Sequence, residues 1–160
     1  MTLAGNAPYS DTEVPADKSK FQIEQLLKKY GVSGSQWTTD WEDNRVMLRF
    51  VLTNREGRRV GIQLEPPMFM SKHRTWDKTR GRHVIEESPN WAQSMRLFYY
   101  YIKSKLEAVS WGLREVEQEF LNDIIVRDSA GRETTVGRLV SRNALADQKL
   151  EYEKLREAQE

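Results

Sequence analysis

The chain has 160 residues, enough for one domain of ordinary size with little room for a second. Charged residues make up 31% of it and hydrophobic ones 38%, but five Trp, six Tyr and five Phe exclude a chain disordered throughout. The lack of Cys excludes a disulfide framework, a zinc finger and thiol catalysis, and no apolar run approaches the roughly 20 residues that span a bilayer. Residues 1–19 lack the basic start and apolar core of a signal peptide, so the expectation is a cytoplasmic protein without a membrane partner.

The net charge of +1 conceals a segregation. Between Arg45 and Arg82 lie ten basic residues, opposed only by Glu56, Glu65 and Asp77, so this stretch carries +7 and the remainder −6. A separated basic segment points to an anionic partner, or to a solvated sheet face.

In chain order, residues 1–18 show no periodicity and are expected to form a disordered tail. Ser19-Lys20-Phe21-Gln22 fits a capping box, and Ile23, Leu26, Leu27 and Tyr30 continue at helical spacing to Gly31, which suits a left-handed helix end. From Trp37 the period becomes two. Trp37–Trp41 reads as a strand with both indoles on one side. Asn44–Thr53 places Val46, Leu48, Phe50 and Leu52 on one face, and Arg58–Glu65 does the same with Val60, Ile62 and Leu64. With the turn Asn54–Gly57 between them, these two runs predict an antiparallel hairpin whose open face presents Arg45, Arg49 and Arg59. Gly61 within the second run marks a bulge or a close approach to the backbone.

Pro66-Pro67 ends the sheet, and residues 67–88 show neither period, which predicts a long basic loop containing Met68, Phe69, Met70, His73, Trp76 and His83. Ser88-Pro89 would open a helix, with the stripe Trp91, Met95, Phe98, Ile102, Leu106, Val109, Leu113, Val116 and Phe120 implying about 30 residues unless Gly112 breaks it. Ile124-Ile125-Val126 and Thr134-Thr135-Val136 predict a small hairpin around Asp128–Gly131, and residues 141–160 a charged C-terminal helix or tail. The fold class expected is α+β: a single domain over 19–140, with an antiparallel sheet of three or more strands, a short N-terminal helix, and a long helix packed on one face.

Chemistry offers few anchors. Glu115, Glu119 and Asp123 recur every four residues, and such a row on one helix is more simply a solvated face than a metal site. His73 and His83 lack a third ligand for zinc, and as an acid–base pair would need Asp77, Glu86 or Glu87 brought near by the fold. No phosphate loop, nucleophile elbow or HExxH motif occurs, so no catalytic residue, metal or cofactor is assigned. Nucleic-acid binding fits better, because single-strand binders combine cations that follow phosphates with rings on which bases stack. The candidate contact set is Arg45, Arg49, Arg59, Lys72, Arg74, Trp76, Lys78, Arg80 and Arg82, and a smaller anion such as a nucleotide would suit the same charges. The rival is a protein–protein module or self-association, favoured by Met68, Phe69, Met70 and Trp76 and by consecutive Tyr99, Tyr100 and Tyr101, which cannot all face one core.

Two stretches, KSKFQIEQLLKKYGVSG (Lys18–Gly34) and IKSKLEAVSWGLREVEQEFLNDIIVRDSAGRETTVGRLV (Ile102–Val140), together with the hairpin ending GRRVGIQLEPP, resemble a family of short proteins common in phage and prophage genomes. The resemblance spans about 100 residues; the loop around Trp76 and the charged C-terminal tail depart from it. That family has no assigned activity, so the resemblance implies no catalytic residue. It implies a setting in mobile elements, in host cytoplasm, where small nucleic-acid-handling and defence-blocking proteins are both common.

Overall fold

The computed structural model describes residues 2–3 and 7–142. Thr2–Leu3 forms a short strand (β1), followed by helix α1 (Ala16–Lys29), strands β2 (Ser35–Asp40), β3 (Arg45–Thr53), β4 (Arg59–Leu64), β5 (Phe69–Asp77) and β6 (Arg82–Pro89), and helix α2 (Trp91–Ser110). A short helix α3 (Val116–Glu119), a 3₁₀ turn (Leu121–Asp123), strands β7 (Ile125–Arg127) and β8 (Glu133–Thr135), and helix α4 (136–142) complete it. This is the α+β class expected, with three sheets in place of one: β2-β3-β4, β1-β5-β6 and β7-β8.

The central sheet obeys the predicted alternation. Leu48 pairs with Leu64, Phe50 with Ile62 and Leu52 with Val60, so the alternation sends all of them to one face. There they join Ile23, Leu26 and Leu27 of α1 and Met95, Phe98, Ile102 and Leu106 of α2 in a single core. Phe120 of the α3 C-terminus closes it, edge to face with Phe50 at 5.9 Å.

Both main helices end alike. Gly31 (φ 79°) bonds back to Lys28 O while Val32 N reaches Leu27 O, and Gly112 (φ 74°) bonds to Val109 O while Leu113 N reaches Ala108 O. These paired bonds satisfy the last free carbonyls, and each needs a residue that tolerates positive φ. Gly112 therefore divides the predicted 30-residue helix: α2 has 20 residues, about 30 Å, and the chain re-enters the core at Val116.

The helix starts differ from expectation. α1 begins at Ala16 after Pro15, so Ser19 lies inside the helix, fully buried, and its hydroxyl has no hydrogen-bond partner among the described residues. α2 begins at Trp91, capped by the Asn90 side chain accepting from Gln93 N, because Ser88 and Pro89 belong to β6. The expected N-terminal tail is partly structured: β1 pairs in parallel with β5, Gln93 donates to Ala7 O and Pro8 O, and Tyr9 stacks on Tyr100 at 5.2 Å. Of the tyrosine triplet, Tyr99 packs against the core while Tyr100 and Tyr101 are exposed. No helix among the described residues is long and apolar enough to cross a membrane. The charged segment 143–160 lies outside the described residues.

Candidate nucleic-acid interface

The predicted loop over 67–88 is instead a β-hairpin, and this is the largest departure from the sequence-based expectation. β5 and β6 pair from Met70↔Pro89 to Asp77↔Arg82, forming a two-stranded ribbon. Its base is anchored by buried Phe69, which receives a 2.7 Å bond from Asn90 N at its carbonyl. Its far end is closed by a four-residue turn in which Asp77 Oδ1 accepts from Thr79 N and Arg80 N and Gly81 takes φ 59°. Between base and tip nearly every side chain is exposed, on both faces.

Alternation assigns the side chains. Lys72, Arg74 and Trp76 share one face with His83, Ile85 and Glu87 of the neighbouring strand, while His73, Thr75 and Asp77 share the other with Arg82, Val84 and Glu86. Trp76 meets His83 edge to face at 4.9 Å, holding an indole that is 52% exposed. The acids Glu86 and Glu87 stand toward the base, where Lys72 pairs with Glu87 at 3.3 Å. Toward the tip, Arg74, Lys78, Arg80 and Arg82 are opposed by Asp77 alone, which contacts Arg80 at 3.5 Å. Arg74, Lys78 and Arg82 form no ion pair among the described residues.

The sheet arginines have a different fate. Arg45, Arg49 and Arg59 do point to the face opposite the core, but that face is not bare. β7, β8 and α4 fold across it beside β4: Ile125 Cδ1 lies 3.6 Å from where a side chain on Gly61 would begin, an ordinary packing contact. Arg49 is bound by Glu133 (3.0 Å) and Gln63 (2.9 Å), and Arg45 by Glu65 (2.7 Å), a carboxylate it shares with Arg138 (2.7 Å). The bond and charge of Glu65 raise the Arg45 guanidinium further above its ordinary range. Arg59 is exposed at the strand edge. The nine predicted contact residues thus fall into a sheet group, in which Arg45 and Arg49 are neutralised by acids and Arg59 is not, and an exposed ribbon group, and no hydrogen bond or ion pair among the described residues joins the two.

The other chemical candidates dissolve. Glu115 precedes α3 and pairs with Arg55 at 2.8 Å, whereas Glu119 and Asp123 converge on Lys105, whose ammonium also donates to Glu119 O at 2.7 Å. The three carboxylates therefore do not form a row. His73 and His83 point to opposite faces of the ribbon, and no group of three metal-ligating side chains occurs among the described residues. Trp37 and Trp41 separate as well. Trp37 is half-buried beside Phe98 and donates to Glu24 at 3.1 Å, while Trp41 sits in the turn after β2 and is 84% exposed.

Sequence reasoning missed His83 and Ile85 as companions of Trp76. The available signal was the turn Asp77–Gly81, of the same design as Asp40–Asn44, where Asp40 Oδ1 accepts from two backbone amides and Asn44 takes φ 51°. No protein-family model, curated protein or solved structure matches the chain.

Proposed function

We propose that the protein binds nucleic acid, without catalysis, through the β5–β6 ribbon, with Lys72, Arg74, Trp76, Lys78, Arg80 and Arg82 as the contact set. The observation that carries this reading is the exposed ribbon itself, with four cations against one acid around its tip. A two-stranded ribbon in isolation is marginal in water, and this one is held at its base by β1 and α2 while its side chains from Lys72 to the tip are mostly exposed. A surface that buries it against phosphate would stabilise it. The two ion pairs on the ribbon do not stand in the way, since exposed pairs contribute only about 0–1 kcal/mol and exchange readily for phosphate. Trp76 supplies a flat ring for stacking or wedging, and a two-stranded ribbon fits the major groove of duplex DNA. The resemblance to short phage and prophage proteins suits such a role in host cytoplasm.

Fluorescence anisotropy with labelled single- and double-stranded DNA and RNA, at low and moderate salt, tests this. Arg74→Ala with Arg82→Ala should weaken binding to every probe and lower the salt slope by about two, one for each phosphate no longer neutralised. No binding of any probe at low salt would overturn it.

One observation favours a second reading. Ile85 is 72% exposed on the same face as Trp76, and Trp with Arg is the composition of a protein interface. In that case the ribbon docks on a host or phage protein, and Trp76→Ala with Ile85→Asp would abolish its capture while nucleic acid remained unbound.

A further inference from the structure

A cavity of about 170 Å³ opens between the start of α1, the β2–β3 turn and the start of α2, and no ribbon residue lines it among the described residues. Buried Val46 and Met95 form its floor, and two indoles, half-buried Trp91 and exposed Trp41, stand at its sides. Asp17 and Asp40 lie at its rim. Trp41 has no structural reason to be there: it follows the last residue of β2, contributes nothing to the core, and is the most exposed large hydrophobic side chain among the described residues.

We propose that this cavity binds an organic cation, an ammonium head of the alkylated or quaternary kind. Indole faces attract such cations, and the attraction grows when the head group is drawn out of water. The polar residues point to the same charge. Asp40 is fixed by two backbone amides donating to Oδ1, so its carboxylate is held at the rim, and Glu42 and Asp43 of the same turn add to the negative field. Asp17, in the first turn of α1, forms no ion pair among the described residues. Among the described residues the one cation lining the cavity, Lys20, directs its ammonium onto the Trp37 ring at 5.1 Å, so its stem contributes apolar wall. The size also agrees, since an apolar cavity of about 150 Å³ holds a benzene-sized guest.

The head group could be carried by a free amine or by an alkylated lysine of a peptide. The test therefore titrates ¹⁵N-labelled protein with choline, with a trimethyl-lysine peptide, and with 3,3-dimethylbutan-1-ol, the uncharged isostere of choline. Choline or the peptide should move the Trp41 and Trp91 indole N–H resonances together, with the isostere at least tenfold weaker, and the tighter of the two cations identifies the source. Trp41→Ala should weaken binding about tenfold. Asp40→Asn, which keeps an acceptor for the turn, should weaken it about threefold or more. Equal binding of choline and its isostere, or no movement of either indole with any cation, would overturn the proposal.

Discussion

Arg49 reaches across the outer face of the central sheet to Glu133 of β8, guanidinium to carboxylate at 3.0 Å, while its Nε donates to Gln63 on the neighbouring strand. That contact ties the small β7–β8 hairpin to the sheet and withdraws an arginine from any ligand of that face.

Removing it should therefore leave ligand binding alone. Arg45→Ala combined with Arg49→Ala is expected to change nucleic-acid affinity by less than about twofold, and to cost about 0–1 kcal/mol of stability for each exposed pair removed. The anisotropy measurement with this variant checks it. A loss as large as that of the ribbon double variant would place the sheet face back in the contact set.

Gly137 is a packing glycine. A methyl group there would meet Asn122 O at 3.0 Å and Asn122 Cβ at 3.1 Å, so α4 and the 3₁₀ turn would have to move apart by a few tenths of an ångström. Gly137→Ala should destabilise by about 1–3 kcal/mol, the cost of overpacking. Gly34→Ala, where nothing lies within 4 Å and φ is not positive, should cost nothing. Urea denaturation of the two variants side by side separates crowding from a general effect of the extra methyl.

Asp123 gives a pH dependence of defined sign. Burial pushes its carboxyl above the usual carboxylate range, against the pull of Lys105 at 3.9 Å. A raised folded value means the protonated form is preferred in the fold. The stability this contributes is complete below the unfolded value of about 3.9 and is lost as pH rises through the higher folded value. Asp123→Asn does not titrate, and Lys105 keeps Glu119 as partner at 3.3 Å. The variant should accordingly gain on the parent between about pH 4 and pH 7, read from denaturation at both pH values. A gap that is constant or runs the other way would contradict the assignment.

The central sheet was readable because one of its faces is buried: Val46, Leu48, Phe50 and Leu52 alternate with Arg45, Met47, Arg49 and Val51, and burial imposes that pattern. The ribbon was unreadable for the converse reason. Lys72-His73-Arg74-Thr75-Trp76 has solvent on both sides, so no selection for alternation acts on it and periodicity is silent. Turn chemistry still spoke there, in Asp77 and Gly81, and repeats what Asn54–Gly57 and Asp128–Gly131 do at the other hairpins. The long apolar stripe misled because Val116 and Phe120 resume the α2 face after the chain has turned at Gly112, so the spacing survives the break. The candidate site was half legible: the residue types were right, but which arginines find acids depends on Glu65 and Glu133, brought in from positions distant in sequence.

The bond from Asn90 N to Phe69 O closes the chain on itself at the ribbon's foot, so the 20 residues that follow Phe69 leave the domain and return within one hydrogen bond of where they departed. Such an appendage can be lengthened, shortened or rewritten without disturbing what lies below. On the reading proposed above, the contact residues can therefore be exchanged on the ribbon while the core of the domain keeps its packing.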